Sequence, residues 1–140
     1  MNKSIRPFHL AFPVSDIGKT KKWYTEILGC SIGRESEKWI DFNFFGHQIS
    51  AHLIKREDAV ISNPVDGKQI PVRHFGIILE PKEWNDLAMR LSNLKADFKV
   101  EPYTRFKGSK GEQSTMFVID PSGNYLEFKS FKNDEMIFAS

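Results

Sequence analysis

Two histidines and one glutamate stand where a divalent metal could be held: His9 in Phe8-His9-Leu10-Ala11-Phe12, His74 in Arg73-His74-Phe75-Gly76-Ile77, and Glu127 in Tyr125-Leu126-Glu127-Phe128. Each run reads as a strand whose polar residue faces an enclosed side. Burying a charge there is costly unless it is paired or bound to a metal. Two imidazoles and one carboxylate on a rigid frame make the facial triad that grips a divalent ion and leaves positions open for reactants. Fe(II), Mn(II), Ni(II) and Zn(II) all suit these donors, and affinity alone does not choose among them.

Other classes of function are narrowed by composition. The 140 residues suffice for one compact domain with a real core, and 40% apolar with 27% charged residues is ordinary for a globular chain. A net charge of +2 gives no footprint for nucleic acid, and Lys19, Lys21 and Lys22 read as the solvated face of a helix. Cys30 is the single cysteine, which excludes an intramolecular disulfide and a thiolate-rich zinc site. The apolar stretch from Phe8 to Val14 is broken by His9 and Pro13, too short for a signal peptide. No run approaches the roughly 20 apolar residues of a membrane helix. The expectation is a cytoplasmic protein with a small-molecule substrate, no nucleic acid and no membrane partner.

The elements that must position the three ligands come in two matching sets. A strand at about Arg6 to Phe12 leads to a helix from Asp16 to Leu28, with Ser15 or Asp16 as cap, an apolar stripe of Ile17, Trp23-Tyr24 and Ile27-Leu28, and Gly29 as the stop. A weaker strand near Cys30 to Arg34 follows, then a hairpin of Lys38 to Phe45 and Gln48 to Ile54 about Gly46. Residues 55 to about 71 are polar and turn-rich and read as a linker. The order then restarts: a strand from Val72 to Glu80, a helix from Pro81 to about Leu94, a strand at Phe98 to Val100, and a loop over 103 to 113. A hairpin of Ser114 to Ile119 and Asn124 to Ser130 closes the set, turning at Pro121-Ser122-Gly123. His9 precedes Asp16 by seven residues and His74 precedes Pro81 by seven, so the histidines occupy equivalent places in a duplicated unit.

Strand periodicity assigns the faces. Phe8, Leu10 and Phe12 share one side of the first strand, and Phe75, Ile77 and Leu79 one side of the fifth. Leu126 and Phe128 share one side of the last. These apolar sides suit the two amphipathic helices. His9, His74 and Glu127 fall on the opposite sides, which would curve about a cavity. Trp39, Asp41 and Asn43 alternate away from Ile40, Phe42 and Phe44 and face the same way, as do Gln48, Ser50 and His52. His47 follows the turn glycine and is expected to be exposed.

This arrangement resembles the vicinal oxygen chelate superfamily, which includes glyoxalase I, extradiol dioxygenases, fosfomycin resistance proteins and bleomycin-binding proteins. The resemblance spans Pro7 to about Phe131. It is carried by Phe8-His9-Leu10-Ala11, by Trp23-Tyr24 with Leu28-Gly29, by His74-Phe75-Gly76, and by Asp120-Pro121-Ser122-Gly123-Asn124-Tyr125-Leu126-Glu127. It implies an α+β fold of two βαβββ modules forming a half-open barrel-like sheet with helices outside. Within a single domain of residues 1–140, module one covers about 5–54, the linker about 55–71, module two about 72–131 and a tail 132–140. It also implies that His9, His74 and Glu127 bind one divalent metal. Glyoxalase I adds a fourth ligand, usually a carboxylate, from the last strand of the first module. Here Gln48-Ile49-Ser50-Ala51-His52-Leu53 holds no Asp or Glu, which leaves His52 open as a fourth ligand or as a nearby acid–base.

Two histidines with one glutamate look more like the extradiol dioxygenases, with Fe(II) the favoured ion and a small aromatic diol the substrate. A glyoxalase-like isomerase or thiol transferase, and a metal-free drug-sequestering protein, are the alternatives. In the enzyme readings His52, Tyr103 and Tyr125 are candidates to move protons. Trp39 and Asn43 would shape the substrate site, and Arg105, placed with Tyr103 and Lys107 in or beside the long loop, would meet an anionic group. Such proteins commonly pair, and the apolar Met136-Ile137-Phe138 offers a partner surface, so a homodimer is expected.

Overall fold

The computed structural model describes residues 5–55 and 62–139. The chain divides into two compact units, residues 1–58 and 59–140, both mixing strands with few helices in an α+β fold.

In the first unit, β1 (His9–Val14) is followed by helix α1 (Ile17–Lys22), a π-helical turn (Trp23–Ile27), and strands β2 (Ser31–Glu35), β3 (Trp39–Phe44) and β4 (His47–Leu53). The strands form one sheet in the order β1-β4-β3-β2. β1 runs parallel to β4 and pairs His9 with Gln48 and Ala11 with Ser50. Asp16 caps α1, its Oδ1 accepting from Lys19 N at 2.8 Å. The expected helix to Leu28 is α-helical only as far as Lys22. The hydroxyl of Thr25 donates to Lys21 O at 2.7 Å, competing with the regular backbone ladder, and Leu28 N reaches back five residues to Trp23 O at 3.3 Å. The widened turn carries Tyr24, fully buried, with its ring centroid 4.9 Å from Phe42 and 5.7 Å from Phe12. Gly29, at φ 79°, ends the turn. Phe45 and Gly46, both at positive φ, make a two-residue hairpin between β3 and β4.

In the second unit, a hairpin of β5 (Ser62–Val65) and β6 (Lys68–Pro71) precedes β7 (Phe75–Ile78), helix α2 (Pro81–Asn93), β8 (Phe98–Arg105), β9 (Gln113–Ile119) and β10 (Tyr125–Phe131). The main sheet has the order β7-β10-β9-β8, with β7 parallel to β10. That is the first unit's order repeated: first strand at one edge, last strand beside it. Leu126 and Phe128 are buried on the side expected for the helix. Trp84 of α2 donates its Nε1–H to Phe128 O at 2.7 Å, fixing helix to sheet.

Several sequence expectations are corrected. The stretch read as a linker, 55–71, contains the β5–β6 hairpin; of its residues, 56–61 lie outside those described. Asp66-Gly67, at φ 52° and 74°, supply the positive-φ pair of a two-residue hairpin turn. The strand expected from Val72 to Glu80 shrinks to Phe75–Ile78, so His74 lies at its entrance rather than within it. β8 runs on to Arg105 through two irregularities in its pairing, which puts Tyr103 and Arg105 on a strand and leaves only Lys107 in the loop. Phe8 is 64% exposed and does not join the buried face of Phe12 and Val14.

Candidate metal centre

His74 and Glu127 meet at the joint between β7 and β10. Their register pairs Glu127 with Gly76, two residues beyond His74, and His74 Nε2 stands 3.3 Å from Glu127 Oε1. The pair is mostly enclosed, the side chains being 28% and 17% exposed. Each group is held from behind. His74 Nδ1 lies 2.7 Å from Pro71 O; a carbonyl can only accept, so Nδ1 carries a proton and donates it. Nε2 faces the Glu127 carboxylate, which likewise can only accept, so it bonds Oε1 as the second N–H of the protonated ring, and its lone pair becomes available to a metal once that proton leaves. Glu127 Oε2 accepts from Thr115 Oγ1 at 2.6 Å. The His74 and Phe117 rings meet in a T-shaped contact, centroids 5.0 Å apart.

Charge tunes both groups. The hydrogen bond to Glu127 raises the His74 pKa above its ordinary 6.5, against desolvation and with help from Pro71. Burial pushes the Glu127 carboxyl up, but bonds from His74 and Thr115 and the Lys129 charge outweigh it and hold the group below 4.5. The signs fix a pH window. The His74 contribution to stability is full below 6.5 and is lost as pH rises through its raised folded value. The Glu127 contribution is present above 4.5 and is lost as pH falls through its lowered value. In chelator, the stability difference between wild type and His74→Ala should therefore be largest between 4.5 and 6.5 and shrink at alkaline pH. Urea unfolding of both proteins across that range checks it, and a difference independent of pH would contradict it.

The pair fits a metal. Two donors each ~2.0–2.1 Å from one ion in adjacent positions lie roughly 2.9–3.4 Å apart, which brackets the observed 3.3 Å. An imidazole whose far nitrogen donates to a carbonyl, with a carboxylate itself hydrogen-bonded, is the outer-shell support that metal ligands use. Among the described residues, no three His, Cys, Asp or Glu side chains come together as a metal-holding group within either unit.

The remaining candidates are placed as follows. His9, at the start of β1, is exposed rather than enclosed, and His52 of β4 is exposed opposite Trp39. Half-buried Trp39 has the Arg34 guanidinium 5.8 Å above its ring. The side chain of Asn43 accepts from Gly46 N at 2.8 Å, a turn contact. His47, expected to be exposed, is half-buried, with Nδ1 accepting from Phe8 N at 2.8 Å. Asp41 is buried and accepts from Ser50 Oγ at 2.5 Å. Ser50 pairs with Ala11, two residues beyond His9, as Glu127 pairs with Gly76, so it holds the first sheet's counterpart of the Glu127 position. Tyr125 is half-buried on the Glu127 side of β10.

Tyr103 and Arg105 are committed elsewhere. Tyr103 donates its hydroxyl to Asp66 Oδ2 at 2.9 Å, and Arg105 Nε pairs with the same oxygen at 2.6 Å, as a charge contact and not an aligned hydrogen bond. Burial and the Asp66 carboxylate raise the Tyr103 pKa. The Tyr103 hydrogen bond, with the Arg105 charge, lowers that of Asp66. Sequence reading missed Thr115 and the Pro71 carbonyl. Thr115 was within reach, because the turn at 121–123 sets the β9–β10 register, whereas a backbone carbonyl leaves no mark in a sequence.

Comparison with known proteins identifies the family and the fold. The family model described as Glyoxalase/Bleomycin resistance protein/Dioxygenase superfamily matches residues 6–128. A crystal structure of a glyoxalase/bleomycin resistance protein/dioxygenase from Alicyclobacillus acidocaldarius is 34% identical, with TM-score 0.83, covering 99% of this chain and 100% of that one. The fold is shared with a fosfomycin resistance protein from Listeria monocytogenes (17% identity, TM-score 0.67, 98% and 100% covered). It is also shared with a lactoylglutathione lyase from Agrobacterium tumefaciens (15% identity, TM-score 0.62, 92% and 94% covered). No curated protein matches the chain. Among the described residues, no helix is long and apolar enough to cross a membrane. The chain belongs to the Glyoxalase/Bleomycin resistance protein/Dioxygenase superfamily.

Proposed function

We propose that the protein is a metal-dependent enzyme in which His9, His74 and Glu127 hold one divalent ion, Fe(II) by preference with Mn(II), Ni(II) or Zn(II) as alternatives. It acts as an extradiol-type dioxygenase on a small aromatic diol or a similar oxygen-chelating substrate. One observation carries the reading: His74 Nε2 and Glu127 Oε1 converge at 3.3 Å, with Pro71 O and Thr115 Oγ1 holding each from behind. When bound, the ion would acidify a substrate hydroxyl and hold the reactants together.

The chain's own residues supply the rest. Pro71 and Thr115 hold the two donors in register, so little ordering remains when substrate arrives. His52 and Tyr125 are the proton carriers in this reading, while Tyr103 is a poor one because its hydroxyl is given to Asp66. Arg105, neutralised by Asp66, is a weak anchor for an anionic substrate. Trp39 supplies apolar surface. A glyoxalase-like isomerase or thiol transferase is the second reading, favoured by the Asp41 carboxylate bonded to Ser50 at the position equivalent to Glu127.

The test is metal content by elemental analysis after anaerobic reconstitution, followed by oxygen uptake with catechols. About one equivalent of metal and oxygen consumption support the dioxygenase. Metal without oxygen uptake favours the isomerase or transferase, and no stoichiometric metal leaves the drug-sequestering protein as the better account.

We also propose a cytoplasmic homodimer. Phe138 follows the short 3₁₀ turn Asp134–Met136 and is 96% exposed, an apolar side chain suited to a partner. Light scattering at micromolar concentration should give twice the 16.2 kDa chain mass; a monomer throughout would count against pairing.

A further inference from the structure

The β5–β6 hairpin reaches His74 through a continuous set of contacts. At its tip, Asp66 sits at φ 52°, a left-handed conformation that Asp and Asn tolerate. From there it holds Tyr103 at 2.9 Å and Arg105 at 2.6 Å on β8. Lys68 Nζ lies 4.2 Å above the Tyr103 ring, adding a cation–π contact to the same clasp. In its middle, Ile70 packs with Val100 and Phe117, joined by Val65 and Tyr103. At its base, Pro71 is fully buried and gives its carbonyl to His74 Nδ1 at 2.7 Å. Two four-residue strands are marginal by themselves, and the apolar cluster beneath them is small. The ionic tip adds to that cluster in holding the hairpin on β8.

We propose that Asp66 is a positioning residue: by clasping Tyr103 and Arg105 it docks the hairpin on β8, and the docked hairpin presents the Pro71 carbonyl that turns His74 Nε2 toward Glu127. The consequence for metal binding rests on reading His74 and Glu127 as ligands, whereas the orientation of the ring does not. Tyr103 and Arg105 then act through Asp66 and not on a substrate.

The experiment uses full-length Asp66→Asn, which keeps a residue suited to positive φ and removes the charge, with Tyr103→Phe as a milder second variant. The ring nitrogens of His74 are followed by NMR in metal-free protein at alkaline pH, where the tautomer shows directly. Zn(II) affinity is measured by competition with a chromophoric chelator. Wild type should show the Nδ1–H tautomer. Asp66→Asn should show a mixture and bind Zn(II) about tenfold or more weakly, in the range for lost outer-shell support. Tyr103→Phe should move both readouts the same way by less. His47, whose Nδ1 accepts from Phe8 N, is the internal control and should keep its Nε2–H form.

A His74 tautomer unchanged in both variants overturns the proposal, even if affinity falls, because the effect would then not pass through the ring. If Asp66→Asn fails to fold, the Tyr103→Phe tautomer decides alone. If wild type binds no Zn(II) while the tautomer still responds, the positioning stands and the metal-enzyme reading is what fails.

Discussion

Gly76→Ala is expected to destabilise the second unit by at least ~3 kcal/mol, the upper end of what overpacking usually costs. A Cβ built there would overlap the carbonyl oxygen of Glu127 and lie 2.6 Å from its carbonyl carbon and 3.1 Å from its nitrogen. The obstacle is backbone, so no side chain can swing aside. Gly76 also pairs with Glu127 across the parallel β7–β10 ladder, and making room means parting the two strands that bring His74 and Glu127 together. The loss is set against a total stability of ~5–15 kcal/mol for an ordinary domain. Thermal unfolding should show a large fall in Tm, and metal uptake should fail with it. Gly111→Ala is the control: an added Cβ there meets nothing within 4 Å, and the change should be nearly neutral. A Gly76→Ala protein whose Tm drops by less than the roughly 4–8 °C worth 1 kcal/mol would show that the strands need no glycine.

The duplication was legible because it is written twice, and the matching spacing from histidine to helix, with strand alternation about Leu126 and Phe128, announced two like sheets. Both have the same strand order, which neither periodicity nor turn signals specify alone. The hairpin at 62–71 is masked in the sequence by its turn-forming residues, Asn63-Pro64 and Asp66-Gly67, although Asp-Gly is itself a hairpin signal. Four-residue strands carrying Pro64 and Pro71 give little periodicity to detect. The same limit explains Tyr103 and Arg105, whose strand continues past Val100 only through irregular pairing. Proximity of His74 and Glu127 could be expected from the family resemblance. What orients them, a carbonyl from Pro71 and a hydroxyl from Thr115, depends on tertiary contacts that sequence spacing does not encode.

Glu127→Gln should leave the metal-free protein folded while weakening metal binding by more than the roughly 10–100-fold that loss of an outer-shell partner costs. The amide is isosteric with the carboxylate. Its oxygen can still accept from Thr115 Oγ1, now 2.6 Å from Glu127 Oε2, and its NH₂ can donate to the His74 Nε2 lone pair, because Nδ1 already carries the proton given to Pro71 O. Every hydrogen bond of the apo pair thus has a replacement, and only the negative charge disappears. Removing that charge also removes the main cause holding the His74 pKa above 6.5, so the value should fall back, a change visible by NMR without any metal. Glu127→Ala removes the hydrogen bonds as well and should be the most damaging of the three single ligand deletions, since the proposed site has no other anionic ligand. Thr115→Val, which keeps the carboxylate but frees Oε2, should cost about 10–100-fold in metal affinity. Elemental analysis after anaerobic reconstitution ranks the variants. If Glu127→Gln retains one equivalent at wild-type affinity while its His74 pKa drops as expected, Glu127 is a partner of the imidazole and not a metal ligand, and a sequestering pocket describes the protein better than an enzyme.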